Sequence, residues 1–456
     1  MNDINQTIKT NVEKVPRRIL GGLLAGLSAG VVPRAGAPYI AIGRREEIRA
    51  ISADMERVAE GQSATRFVIG RYGSGKSFLL QLLRSYAIEN GYLCADADLS
   101  PERRLAGEGG LLTYRELMRN LSCKASPDGE AWSLLLQKWL RELSDRADEA
   151  GDSRSLALIV SKELAPLRDE IGGADYVSVL TRYAEGYETD NDSLTAAALA
   201  WLRGEYRTKT EARAALSLRS VNVIDDALWY VHLRLLARLA RIMGYRGLLV
   251  LIDECVNLYK IPNRISREAN YEKILSVYND TLQGTAQGMM FVFGGTPQFL
   301  EDTRRGLFSY EALRSRLSDA RFGDGTGLVN RMSPVIRLRP LSGNDLLALA
   351  FRLRALHAQY YNTAPAVTDE QAAQFINLEF ARAGADTMLT PREIIRDFVT
   401  LLDLLMQNAD ATFEQIVGQV TSAPASNGEA DTPADGDGEA PAPASPASVE
   451  LPDFDL

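Results

Sequence analysis

The fold class follows from the stretch FVIGRYGSGKS at residues 67–77. From Gly70 to Ser77 it matches the pattern G-x-x-x-x-G-K-[ST] at every fixed position, with an apolar run before it and the amphipathic run FLLQLL after it. A glycine-rich loop between a strand and a helix turns its backbone N–H groups and the helix N-terminus toward a phosphate. The sequence therefore predicts a P-loop nucleotide-binding site, with a chance glycine loop as the alternative.

The residue types in this loop predict how it holds ATP and Mg²⁺. Lys76 places a positive charge on the β- and γ-phosphates, and the Ser77 hydroxyl binds Mg²⁺. The predicted nucleotide-binding residues of the loop are Gly70, Arg71, Tyr72, Gly73, Ser74, Gly75, Lys76, Ser77 and Phe78.

A second apolar run, GLLVLIDE at residues 247–254, ends in two adjacent carboxylates. We expect Asp253 to hold Mg²⁺ through water, and Glu254 to act as the general base that polarises the attacking water. The pair favours hydrolysis over phosphoryl transfer to a small molecule. An acidic turn after a strand is the alternative interpretation.

The following apolar run, Met289 to Gly295, predicts a parallel strand beside the one that ends in Asp253. Thr296 then comes at the tip of this strand, where its hydroxyl could touch the γ-phosphate or the water. A plain turn is the alternative.

Residues 303–339 contain eight arginines, no lysine and three acidic residues. Arginine without lysine suggests bidentate contacts with phosphate or carboxylate groups. Arg314 and Arg316 follow Thr296 by about one helix, which predicts an arginine finger. A solvated basic helix face is the alternative.

The chain as a whole predicts an α/β protein with a three-layer αβα P-loop domain, a large helical insertion and a C-terminal helical lid. The predicted divisions are an N-terminal helix and loop (1–38), the first part of the nucleotide-binding domain (39–100), the insertion (101–246), the second part of the nucleotide-binding domain (247–340), the lid (341–420) and a disordered acidic tail (421–456).

Composition excludes several classes of protein. Two histidines and three dispersed cysteines disfavour a disulfide scaffold, a structural zinc site and a multi-histidine metal site. The uncharged run of 14 residues from Ile19 to Val32 is too short to span a bilayer. We therefore expect a cytoplasmic protein without a membrane partner.

The net charge of −9 comes mostly from the predicted tail. Residues 421–456 hold eight acidic residues and no basic ones, which leaves 51 basic and 52 acidic residues in the rest of the chain. The charge of −1 that remains does not argue against a local contact with DNA.

Together these motifs resemble the AAA+ branch of P-loop ATPases, particularly its initiator-like group. The segment GRREEI that begins at Gly43 and Arg44 looks like the group's segment near the adenine. The resemblance implies that Arg316 reaches into the ATP site of a neighbouring subunit, and that Arg392, in TPREIIR, senses the γ-phosphate within the subunit. The spacing of 177 residues from Lys76 to Asp253 and the lack of a winged-helix segment after residue 420 depart from initiators.

A closer resemblance covers most of residues 15–400. VVPRAG from residue 31, the P-loop stretch, DLSPER from residue 98, YREL from residue 114 and YEALRSRL from residue 310 look like a bacterial family that includes the ATP-binding component of BREX phage-defence clusters. This resemblance implies a defence ATPase that acts with partner proteins, and it leaves the reaction output open.

We therefore predict an ATP-hydrolysing, AAA+-like motor or loader that works with partner proteins, on DNA, in anti-phage defence, and that forms a homo-oligomer. The alternative is a nucleotide-gated assembly switch or scaffold with slow hydrolysis and no direct remodelling of DNA.

Overall fold

The computed structural model describes residues 15–33, 36–318, 330, 332–383, 390–408 and 410–421. The start of the predicted N-terminal helix, part of the arginine-rich stretch and nearly all of the predicted tail lie outside these residues. The chain divides into two units. The first contains the described parts of residues 1–44, 72–78 and 339–456, and the second contains residues 45–71 and the described parts of 79–338.

The second unit is built on a parallel sheet of five strands. The strands are β1 (Ser63–Ile69), β2 (Leu93–Asp98), β3 (Leu248–Asp253), β4 (Met289–Gly295) and β5 (Val335–Arg337). Their order is β2-β3-β4-β1-β5, and each neighbouring pair is parallel. All residues of β3 and β4 are buried, as apolar strands covered on both faces should be. This confirms the predicted α/β class and the predicted pairing of β3 with β4.

Helices precede and connect these strands along the chain. They are α2 (Arg45–Ala59), α3 (Lys76–Glu89), α4 (Gly110–Arg119), α5 (Trp132–Glu149), α6 (Leu156–Glu163), α7 (Gly173–Glu188), α8 (Asp192–Leu202), α9 (Lys209–Leu216), α10 (Trp229–Ile242), α11 (Val256–Tyr259), α12 (Arg264–Leu282), α13 (Pro297–Glu301) and α14 (Glu311–Leu317). The segment that joins β2 to β3 is thus helical from α4 to α10.

The joining helices share one hydrophobic core with the sheet. All four tryptophans of the chain lie in it, at Trp132, Trp139, Trp201 and Trp229, and each is buried. The heptad spacing of Trp132 and Trp139 therefore reflects helix packing.

The first unit is a helical assembly with its own core. Its helices are α1 (Arg17–Ser28), α15 (Gly343–Tyr361), α16 (Asp369–Ala383), α17 (Pro391–Gln407) and α18 (Phe413–Thr421). Capping boxes begin two of them, Ser342 with Asp345 at α15 and Thr390 with Glu393 at α17.

Helix α1 accounts for most of the uncharged run near the N-terminus. Leu20, Leu23 and Leu27 are buried in the same core as Leu347 of α15 and Leu402 of α17. The run is apolar because it packs against these helices. Among the described residues, no helix is both long and apolar enough to cross a membrane.

Candidate nucleotide-binding site

The predicted P-loop connects β1 to α3. The strand ends at Ile69, the Gly70 N–H donates to the Gly295 carbonyl oxygen at 3.1 Å, and the helix begins at Lys76. Gly73 and Gly75 have φ of +71° and +92°, a conformation that residues with a Cβ rarely adopt. Lys76 and Ser77 therefore lie in the first turn of α3, where backbone N–H groups lack helical partners and the helix dipole favours an anion.

Two side chains of the loop have contrasting environments. The Tyr72 ring is 60% exposed, and the Lys76 ammonium lies 5.4 Å from its centroid. Phe78, by contrast, packs against the core of the helical unit.

Arg44 joins the loop to the chain that leads into α15. Its side chain is buried, with the residue 4% exposed, and it donates through Nη2 to the Ser74 carbonyl oxygen at 2.7 Å and through Nη1 to the Arg339 carbonyl oxygen at 2.8 Å. Gly43 has φ of +73°, and a Cβ there would lie 2.6 Å from Leu341 Cδ2. The family resemblance implied that Gly43 and Arg44 lie near the adenine, but the sequence did not indicate which residues they contact.

The start of α17 also touches the loop. A Cβ on Gly73 would lie 2.7 Å from Thr390 Oγ1 and closer still to Thr390 Cβ, so the two residues pack without room for a methyl group. Arg392, the second residue of the same helix, donates through Nε to the Gly30 carbonyl oxygen. Within this unit, Gly30, the second residue after α1, therefore holds the arginine to which the family resemblance assigned γ-phosphate sensing.

The carboxylates predicted to serve the metal and the water lie at the end of β3, Asp253 as its last residue and Glu254 directly after it. Asp253 is 7% exposed, and its Oδ1 accepts a hydrogen bond from the Glu254 N–H at 2.8 Å. Glu254 has φ of +54°, an uncommon value for a residue with a long side chain. Such backbone strain persists where the surrounding structure enforces it, and it clusters at functional sites.

Gly294 of β4 provides the space for the Asp253 carboxylate. A Cβ at Gly294 would lie 3.1 Å from Leu80 Cδ1 and closer still to Asp253 Oδ1. Leu80 belongs to α3, three residues after Ser77. Asp253 therefore lies at the carboxyl edge of the sheet beside the helix that the loop begins.

Asp98 is an acidic residue of this edge that the sequence analysis missed. It lies opposite Asp253 in the register of β2 and β3. Asp98 is exposed at the end of β2. Desolvation by the surrounding protein, followed by the negative charges of Asp253, Asp96 and Glu254, nevertheless raises the pKa of Asp98 to about 6, while Arg103 opposes the shift. The signal that could have found it was a second strand, LCADAD, ending in aspartate.

The donor chemistry fits Mg²⁺. Ser77 and Asp253 offer hydroxyl and carboxylate oxygens, the hard ligands that this ion prefers. No group of three or more His, Cys, Asp or Glu residues that could hold a metal occurs in the described part of the chain. In proteins Mg²⁺ usually keeps several waters and binds through one or two protein ligands plus substrate phosphates.

Thr296 and the two candidate finger arginines have defined surroundings. Thr296 is buried, and its Oγ1 accepts a hydrogen bond from the Phe299 N–H at 3.3 Å, so it caps α13. Arg314 and Arg316 are exposed on α14, and Arg316 Nη1 donates to the Ala312 carbonyl oxygen at 2.7 Å. Their predicted roles stay predictions.

Comparison with known proteins identifies the family. No curated protein matches the chain. Residues 15–421 match the family described as BREX system ATP-binding protein BrxC/D. The chain belongs to this family. The closer of the two resemblances, to the family of the BREX ATP-binding component, is thereby confirmed.

Membership of the BREX ATP-binding family gives the chain an ATP-binding role in phage defence, alongside the partner proteins of a defence cluster. The matched range includes the P-loop, Asp253 and Glu254, and the helices α15 to α18.

Proposed function

We propose that this BREX protein hydrolyses ATP with Mg²⁺ at its P-loop and uses the cycle as an AAA+-like motor or loader that acts with partner proteins on DNA. The observation that carries the proposal is the pair Asp253 and Glu254 at the end of β3. This is the sheet edge at which β1 also ends and runs into the loop.

The proposed hydrolysis assigns each residue one task. Lys76 and the N–H groups of the loop bind the phosphates, and Ser77 and Asp253 hold Mg²⁺. Bound Mg²⁺ neutralises charge on the phosphate oxygens. Glu254 takes a proton from the attacking water as the water oxygen bonds to the γ-phosphorus and the bond to ADP breaks. Thr296 lies at the end of the neighbouring strand β4, where we propose that it contacts the γ-phosphate or the water.

The AAA+-like arrangement adds arginines to this site. We assign Arg392 to γ-phosphate sensing within the subunit, and Arg314 or Arg316 to the ATP site of a second copy. The exposure of both α14 arginines supports this assignment, because a residue that acts in a neighbouring subunit must be accessible. The same assignment requires a homo-oligomer.

The action on DNA is tested by steady-state ATPase measurements with and without duplex and single-stranded DNA. Stimulation of about tenfold or more supports the motor or loader. A Glu254→Gln variant under the same conditions must stay inactive, which shows that the phosphate released comes from this site. No response to any DNA would contradict the proposed action on DNA.

An assembly switch with slow hydrolysis is the second candidate. The exposed arginines of α14 also favour it, because they could join two copies whenever ATP is bound. Light scattering with ATP, ADP and no nucleotide separates the two functions: assembly that depends on ATP, with turnover insensitive to DNA, favours the switch.

A further inference from the structure

The buried cation of Arg44 has no role in the chemistry assigned above, yet it contacts the P-loop directly. Its two Nη atoms donate to two carbonyl oxygens from separate parts of the chain, at Ser74 and Arg339. A Cβ on Gly75 would lie 3.7 Å from Arg44 Nη2, so the guanidinium also lies beside the next residue of the loop. These residues all belong to the helical unit.

The contact with Ser74 determines the direction of a neighbouring N–H group. The peptide bond is planar and trans, so the carbonyl of Ser74 and the N–H of Gly75 point in opposite directions. Because Arg44 holds the carbonyl oxygen toward itself, the Gly75 N–H points away from Arg44. In the described part of the chain this N–H donates to no backbone or side-chain acceptor. An N–H group of a P-loop that is oriented but unpaired is poised for a phosphate oxygen.

We propose that Arg44 is a positioning residue for ATP: it orients the Ser74–Gly75 peptide so that the Gly75 N–H faces a phosphate, and it does not read the base. This inference rests on the proposed use of the loop as the ATP site. It differs from the role near the adenine that the family resemblance implied, since the Arg44 guanidinium donates to a backbone carbonyl oxygen of the loop.

The geometry also explains why the residue is arginine. A guanidinium is planar and offers several N–H donors in a fixed fork, so one side chain can hold two carbonyl oxygens at once. A lysine ammonium has a different shape and is more strongly hydrated, which makes burial of the charge more costly. Lysine should therefore keep the charge and orient the peptide less well than arginine does.

The test compares Arg44→Gln and Arg44→Lys with the control Arg49→Gln, which changes an exposed arginine five residues further along the chain. The dissociation constants of ATP, ADP and GTP are measured by calorimetry for the full chain, and thermal unfolding without nucleotide checks the fold. For Arg44→Gln we expect binding of all three nucleotides to weaken in equal proportion, by about tenfold or more. Arg44→Lys should show a smaller loss with the same unchanged preference for base, and Arg49→Gln should match the wild type.

Two results would overturn the proposal. One is nucleotide affinity in Arg44→Gln equal to that of the wild type. The other is a changed ratio of ATP to GTP affinity in either Arg44 variant, which would mean that the side chain reads the base. If Arg44→Gln does not fold, the affinity ratio in Arg44→Lys decides. Phosphate release by the wild type is measured separately, because a wild type that binds ATP without hydrolysing it contradicts the proposed hydrolysis and leaves this inference standing.

Discussion

The backbone N–H of Glu254 donates to the carboxylate of Asp253 at 2.8 Å, and Glu254 takes up a left-handed conformation in doing so. In the described chain, the other non-glycine residues with positive φ are Glu130, Asp190, Ser217 and Asn362. Glu254 alone among them follows a buried parallel strand directly. The strained turn therefore lies at the two carboxylates to which we assign the metal and the water, and backbone strain of this kind clusters at functional sites.

Replacing Glu254 by glutamine should separate binding from hydrolysis. Glutamine keeps the size of the side chain but cannot accept a proton from water, so we expect turnover to fall by about a hundredfold or more while ATP affinity is retained. Phosphate release and calorimetry measure the two quantities. Glu272→Gln, an exposed change on α12, is the matched control.

Lys76→Ala should instead abolish ATP binding, because it removes the point charge on the phosphates.

Normal turnover in Glu254→Gln would show that a group other than Glu254 activates the water.

A methyl group on Gly73 should destabilise the helical unit beyond the cost of its backbone conformation. Gly73→Ala places a Cβ against Thr390, whereas Gly30→Ala, at φ of +67°, meets only ordinary contacts. Positive φ should cost each variant about 1 kcal/mol of stability. Overpacking against Thr390 should cost Gly73→Ala about 2 kcal/mol more. Thermal unfolding of the two variants without nucleotide measures the difference. Equal losses would mean that α17 moves away from the loop at no cost.

The stability of the chain should fall as the pH drops below the ordinary pKa of histidine. His232 is buried, its ring centroid lies 5.4 Å from that of Trp201 and 6.1 Å from that of Tyr176, and burial lowers its pKa below 6.5. The unfolded chain then binds a proton in a pH range where the folded chain does not, so the free energy of unfolding decreases below about pH 6.5.

The variant His232→Phe should remove this contribution. Urea unfolding at several values between pH 8 and pH 5.5 should show a smaller loss of stability in the variant than in the wild type. At pH 8, where the histidine is neutral in both states, the comparison reports the change in packing and the loss of the hydrogen bond between His232 Nδ1 and the Leu228 carbonyl oxygen. Parallel losses in the two proteins would assign the pH dependence to other groups.

Arg316→Ala should lose ATPase activity and regain part of it when mixed with Lys76→Ala. The first variant keeps an intact loop, and the second supplies an intact Arg316 to a neighbouring subunit, so mixed assemblies contain complete sites. ATPase activity is measured over a range of mixing ratios, with Arg264→Ala, an exposed arginine of α12, as the control for loss of surface charge. If both variants are folded and assemble but do not restore activity, a finger acting between subunits is wrong.

Much of this site was predictable because its residues belong to short, continuous sequence motifs. The apolar run, the glycines and Lys76-Ser77 specify a strand, a loop and a helix start within 11 positions. The run that ends in Asp253 and Glu254 specifies a buried strand with acidic residues at its end. The neighbouring position of β4 also followed from its apolar pattern, and the register confirms it.

Contacts between distant segments could not be read from the sequence. Asp98 and Asp253 are opposite each other because β2 and β3 pair in one particular register across a helical connection of 149 residues. Helix packing likewise determines three other contacts: Arg44 with Ser74, Thr390 with Gly73, and α1 with α15 and α17 in one core. Local residue patterns set the conformation of the chain over a few turns, whereas these pairs arise only when packing brings separate segments within bonding distance.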